Sequence, residues 1–276
     1  MSTPPSLTDR AALEAHRARA RARGPELFLH DEAAAEIEER LAEVNRTFTS
    51  PVVIAPFAAP WQAILPGVRV IADDEVLDLT EGAQDLVIHA MALHWAEDPV
   101  GQLIQCRRAL KPDGLFLGVL FGGRTLNEAR SALAEAEIAT AGGLSPRVLP
   151  MGEIRDLGAL LQRAGFALPV ADSAVKTVEY GSLTGLLRDL RGMGETNALA
   201  ARLRRPMSRA MLAAFAAAYG AAFATPGGRL RASFELIFLT GWAPHDSQQQ
   251  PLRPGSAKQR LADALKVPET RLPGDG

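Results

Sequence analysis

The sequence predicts a doubly wound α/β fold with a mostly parallel sheet, reduced among its first strands and carrying a helical insertion. Two observations predict it. Residues 52–55, 68–72, 86–90 and 115–121 are short apolar runs rich in β-branched side chains, the signature of buried strands. The stretches around them carry helical periodicity, and alternation of strand and helix gives a parallel sheet covered by helices. At 276 residues the chain holds one large domain, or one and a half small ones.

Each element has its local reason. Residues 8–46 read as helix, with Glu32 and Glu36, then Ile37, Leu41 and Val44, at helical spacing. Residues 47–51 break it before the first two strands. After the strand at 86–90, Asp98-Pro99 opens a helix running to Leu110, proline being favoured at a first helical position. Two helices follow at about 125–140 and 151–164, joined by Gly142-Gly143-Leu144-Ser145-Pro146. The last strands are expected at 175–180 and 234–241, with helices at about 182–194 and 206–224 inserted between them. This divides the chain into a helical segment at 1–50, an α/β domain at 51–243 and a polar tail at 244–276. The tail is expected to be extended or disordered, with a short helix at 256–265. Its Arg253, Lys258 and Arg260 form either a partner-binding arm or a solvated linker.

Composition excludes several classes. The net charge of −2 gives no electrostatic case for a nucleic-acid partner. The one cysteine, Cys106, excludes a disulfide framework; it is a packed core thiol or, alternatively, a reactive one. No run approaches the length of a membrane span. Arg10, Arg17, Arg19, Arg21 and Arg23 make the first helix arginine-rich, as in transit peptides, but Asp9, Glu14 and Glu26 are interspersed. A cytoplasmic location is expected, possible membrane contact being peripheral. Met211, Phe215, Tyr219 and Phe223 recur every fourth residue. That stripe packs on the sheet or, with Arg202, Arg204, Arg205 and Arg209 nearby, docks a partner or membrane surface.

Family signals lie in the second half of the sheet. Asp85-Leu86-Val87-Ile88-His89, Leu93-His94-Trp95 and Leu110-Lys111-Pro112-Asp113-Gly114 resemble a class I methyltransferase domain, with its Rossmann-like sheet. Val44-Asn45-Arg46-Thr47-Phe48, Phe121-Gly122-Gly123-Arg124-Thr125-Leu126 and Gly192-Met193-Gly194-Glu195-Thr196-Asn197 narrow the resemblance. With them the chain resembles the methyltransferase-fold assembly factors of respiratory complex I, arginine hydroxylases of mitochondria. More distantly it resembles the malonyl-carrier-protein methyltransferases of biotin synthesis. The resemblance spans about residues 25–242. It implies S-adenosylmethionine as cofactor and a protein partner, a complex I subunit.

The departures are equally specific. Family members hold the cofactor over a glycine-rich turn, which lets backbone approach the ligand. Here the first strand runs into Ala55-Pro56-Phe57-Ala58-Ala59-Pro60, without glycine and with two prolines that fix φ and lack an N–H. Residues 56–67 are too few for the helix, strand and helix expected before the next family strand. The acid that holds the ribose therefore has no counterpart. The proline loop either fills the cofactor site or forms an unusual one.

The resemblance places Asp73, with Asp74 beside it, where an acid bonds the adenine amino group; alternatively Asp73-Asp74-Glu75 is a solvated turn. His89 is a candidate proton acceptor at a strand end, or a hydrogen-bonded core residue. Trp95 is expected to pack across the cofactor pocket or its remnant. Gly194 caps a helix end, or Glu195 enters the cleft as a second candidate catalytic group. His89, His94, Asp73 and Asp74 show no recognised metal-ligand spacing. The sequence thus points to a degenerate member, a pseudoenzyme kept for binding and complex I assembly. The rival is an active S-adenosylmethionine-dependent methyltransferase, or a hydroxylase-like enzyme, acting on a protein or carrier-protein substrate.

Overall fold

Six strands form one sheet in the order β2-β1-β3-β4-β6-β5 in the computed structural model, which describes residues 6–249. The strands are β1 (Pro51–Ile54), β2 (Arg69–Ile71), β3 (Gln84–Ala90), β4 (Leu110–Phe121), β5 (Ala167–Tyr180) and β6 (Leu230–Trp242). The first four pair in parallel, and β6 runs antiparallel to both β4 and β5. Helices α1 (Arg10–Arg23) and α2 (Phe28–Val44) precede the sheet; α3 (Ala59–Ile64) joins β1 to β2, and α4 (Pro99–Ala109) joins β3 to β4. Then come α5 (Asn127–Ala141) and α6 (Ile154–Ala164) before β5, and α7 (Leu183–Gly192) and α8 (Arg209–Phe223) before β6.

The strand period of two sorts the core into two layers. Val53, Ile88, Leu117 and Phe238 face α2, α5, α7 and α8, whereas Val52, Ile54, Val87, Phe116 and Leu239 face α4 and α6. This is a class I methyltransferase-type α/β sheet with a shortened first half. The shortening takes a definite form: β2 pairs directly with β1, and the six residues of α3 are the only helix between them. Trp61 of α3 is fully buried, so the replaced turn is packed solid.

Two expectations need correction. The single helix expected at 8–46 is two, because Gly24 takes a left-handed φ of +84° ahead of Pro25, which disfavours helix in the residue before it. The strand expected at 175–180 begins at Ala167. Its first half was hidden because β5 is an edge strand containing Pro169, with Leu168 and Val170 turned to solvent. The α8 stripe takes the first of its two readings and packs inward: Met211, Phe215 and Tyr219 are buried in the core, with α8 against α5. Cys106 is buried as well, and burial pushes its thiol pKa up. No helix among the described residues is long and apolar enough to cross a membrane. Residues Met1–Pro244 make one compact unit; the helix expected at 256–265 and the tail's basic residues lie outside the described residues.

Phe215 is 1% exposed between α5, α7 and the sheet. Phe215→Ala is expected to cost about 3–5 kcal/mol, read as a lowered urea midpoint at an unchanged slope. A loss under about 1 kcal/mol would place the residue outside the core.

Candidate functional site

Helix α1 begins on Asp9, whose carboxylate accepts from the Ala12 amide at 3.1 Å. Its buried face is Leu13, Arg17 and Ala20, a helical spacing with a charge in the middle. Arg17 has no exposed surface, and its Nη1 donates to Asp73 Oδ1 at 2.7 Å. Asp73 lies just past β2, at the carboxyl ends of the strands where doubly wound sheets bind ligands. Arg10 takes the other oxygen at 3.1 Å and also donates to the Asp73 carbonyl at 2.9 Å. Burial works to raise the Asp73 pKa, but the charges of Arg17 and Arg10 outweigh it and hold the carboxyl below the usual range.

The proline loop is covered from the same side. Arg21 donates to the Pro56 carbonyl at 3.0 Å and lies 5.6 Å from the Phe57 ring centre. His30 of α2 meets Phe57 edge-on at 5.3 Å. Phe57, Ala55 and Asp73 are all nearly closed to solvent. Of the acidic turn, Asp74 and Glu75 are exposed; the Asp74 carbonyl accepts from Gln102 at 3.1 Å.

His89 does not face an open crevice. It alternates with Ile88 and Ala90, so it points to α4, where its Nε2 meets Gln102 Oε1 at 2.8 Å. Burial lowers its pKa, the Gln102 bond only partly opposing this, so the ring is neutral at neutral pH.

Glu195 and Trp95 come together elsewhere, at an apolar cavity of about 200 Å³. Phe121, Leu126, Leu186, Phe215 and Phe234 line it, with Glu195 among them. Glu195 Oε2 accepts from Trp95 Nε1 at 2.7 Å and meets His94 Nε2 at 3.2 Å. Oε1 is buried with no hydrogen-bond partner in the protein. Burial tends to raise the Glu195 pKa; His94, then Arg17 and the Trp95 donor, outweigh it and keep the group ionised. Met91 sits at φ +53° between β3 and the turn that carries His94 and Trp95, a sparsely populated conformation of the sort found at functional sites.

Both readings of the Gly-Met-Gly-Glu segment hold together. Gly194 ends α7 at φ +74°, and a Cβ there would lie 2.9 Å from Arg17 Cγ; a Cβ on Gly192 would lie 2.8 Å from Glu26 Cβ. The glycines let α1 and the segment that follows it approach closely, and the same turn delivers Glu195 to the cavity. The Phe-Gly-Gly segment works alike: a Cβ on Gly122 would lie 2.6 Å from Glu235 Oε2, the oxygen that accepts from the Arg124 amide at 3.0 Å.

Sequence reasoning found Asp73, Trp95 and Glu195 but not the buried Arg17 and His30 around them. Arg17 was legible only as a charge at an apolar helical position. His30, also fully buried, gave no signal; its pKa is lowered to about 4 by burial. The unpartnered atoms of Arg17 (Nε, Nη2), His30, His89, His94 (each Nδ1) and Glu195 belong to one buried polar layer whose members feel each other's charge.

Known proteins resemble the chain in the same region. A family model described as a methyltransferase domain matches residues 17–118. The mitochondrial arginine-hydroxylase NDUFAF5 of Danio rerio is 37% identical over 233 residues, covering 84% of this chain and 72% of that protein. The malonyl-[acyl-carrier protein] O-methyltransferase of Halorhodospira halophila is 33% identical over 214 residues, covering 76% and 70%. Among solved structures, the YcgJ protein of Bacillus subtilis superposes with a TM-score of 0.52 at 11% identity, over 78% of this chain and all of that one. That likeness speaks to the fold alone.

Removing the Asp73 carboxylate leaves buried Arg17 with only the half-exposed Glu14 carboxylate at 3.4 Å. Asp73→Ala is expected to cost about 3–5 kcal/mol, whereas Asp78→Ala, which breaks an exposed pair with Arg69, costs at most about 1 kcal/mol. Equal losses in urea unfolding would contradict the assignment. The pH dependence has a definite sign. Asp73, Glu195, His30 and His89 all have folded pKa values below their unfolded ones. The native state therefore binds fewer protons, and stability is complete above the unfolded values and lost as pH falls. The histidine part goes first, between about pH 6.5 and the His30 value of about 4. Melting temperature should already decline between pH 7 and 5; a flat profile there would contradict neutral buried histidines.

Proposed function

The chain belongs to the family of the arginine-hydroxylase NDUFAF5, and from that premise we propose that it is a binding member which grips an arginine side chain of a partner protein. The observation that carries this is Glu195: a buried, ionised carboxylate on an apolar cavity, with one oxygen lacking a donor. A buried acceptor left unmade costs about 1–3 kcal/mol. The group that removes this cost, and that suits apolar walls, is a cation on an aliphatic stem. Guanidinium offers a planar fork of donors for a carboxylate. Arg147 on the cavity wall does not oppose it strongly, since Glu137 pairs with it at 2.7 Å.

The cofactor side supports binding over methyl transfer. Asp73 is 4% exposed and both its oxygens accept from guanidinium groups, so an adenine amine would have to compete with Arg17 and Arg10 for it. Pro56 and Pro60 remove donors that a glycine turn would offer, and Phe57 and Trp61 occupy the space. These residues do not fit S-adenosylmethionine, and no methyl-transfer step follows from them. The family resemblance adds the partner: a subunit of respiratory complex I. A second reading, that the bound arginine is also hydroxylated, draws on the relatives' name.

The test is fluorescence anisotropy with a short labelled peptide bearing one arginine, against the same peptide with neutral citrulline. The arginine peptide should bind at least tenfold tighter, and Glu195→Gln should erase the difference. Equal binding of the two by the unaltered protein would contradict the proposal. Mass spectrometry of the recovered peptide separates binding from turnover, through gain of an oxygen atom or a methyl group. Pull-down from cells that recovers no complex I subunit would remove that partner.

A further inference from the structure

Beside the Glu195 cavity lies a larger cleft of about 860 Å³ between α1 and α7. Arg191, Thr196 and Asn197 line both, so the two spaces share a rim. Arg19 and Arg23 of α1, Arg188 and Arg191 of α7, and Arg205 place five exposed guanidinium groups on the cleft, against two carboxylates, Glu26 and Asp189. None of the five has an ion-pair partner among the described residues. Arginines just outside the cleft behave differently: Arg10 and Arg17 pair with Asp73, and Arg202 and Arg204 pair with Asp9. In a chain of net charge −2, an unneutralised concentration of positive charge beside a pocket is a recognition feature.

We propose that this cleft receives acidic residues that flank the bound arginine in the partner's sequence, so that the ligand is one peptide: arginine in the cavity, aspartate or glutamate along α1 and α7. The inference rests on the arginine-binding reading of the cavity and adds the sequence context of the side chain it takes. Nucleic acid fits the cleft less well. No phenylalanine, tyrosine or tryptophan lines it to stack a base, its one imidazole, His16, is held by Thr196 at 2.7 Å, and Glu26 and Asp189 repel phosphates. The geometry also divides the labour. Glu195 rejects a peptide without a cation, while the arginine cleft rejects one with basic flanks.

Three labelled peptides test it on the full chain: arginine with acidic flanks, arginine with the matching amide flanks, and citrulline with acidic flanks. The acidic arginine peptide should bind at least tenfold tighter than the amide one. That advantage should shrink with added salt and disappear in Arg19→Glu/Arg188→Glu. Both of those residues are exposed, and an unchanged melting temperature would show that the variant still folds. Equal affinity for acidic and amide flanks overturns this inference and leaves the cavity reading standing. If the acidic citrulline peptide matches the acidic arginine one, the cleft holds and the cavity reading falls. Binding of neither arginine peptide overturns both, and tighter binding of labelled oligothymidylate than of the acidic peptide overturns the cleft inference.

Discussion

Arg17 reaches Asp73 at 2.7 Å from a position with no exposed surface, and three other features hold only if it does. Helix α1 must lie across the carboxyl ends of β1 and β2. The turn after α7 must lack a side chain at Gly194, where Arg17 passes. Glu195, next in that turn, is then delivered to the cavity. A buried ion pair is weak evidence for stability as such, since desolvation offsets most of the attraction. Arg17 even leaves Nε and Nη2 without partners. Its contribution is placement: α1 has one position in which this charge is answered.

The rewritten loop and the arginine are two halves of one change. A glycine-rich turn leaves space beside the sheet for a ligand and donors to hold it. Here Phe57 and Trp61 fill that space, Pro56 and Pro60 stiffen the backbone, and the chain supplies its own cation to the acid at the strand end. Reverting only one half would leave a charge unpaired or a cavity unfilled. Trp61 belongs to the same core layer as the cavity residues Phe121, Phe215 and Phe234. The apolar cavity, built from β4, α5, α7, α8 and β6, keeps its shape and its carboxylate.

Much of this was legible in the sequence where the signal is local. The β-branched runs located β1 to β4, and Asp98-Pro99 marked the start of α4. Close backbone approach requires glycine in the Gly-Met-Gly-Glu and Phe-Gly-Gly segments, but they stood out through the family resemblance. Trp95 and Glu195 were visible for the same reason. What escaped was non-local. Arg17 and Asp73 are far apart in the chain, and one arginine among the five of the first helix reads as solvated surface. His89 was placed on the right strand, but only pairing with β1 and β4, and packing against α4, decide what its ring meets. The first half of β5 escaped because an edge strand with a proline and exposed apolar residues lacks alternation.

The central claim, that Arg17 and the proline loop occupy the cofactor crevice, is tested most directly by titrating S-adenosylmethionine into the purified chain in a calorimeter. S-adenosylhomocysteine serves as the second ligand. The account predicts no binding of either at millimolar concentration. Micromolar binding would contradict it, because the ligand would have to displace a buried ion pair that the rest of the fold is built around.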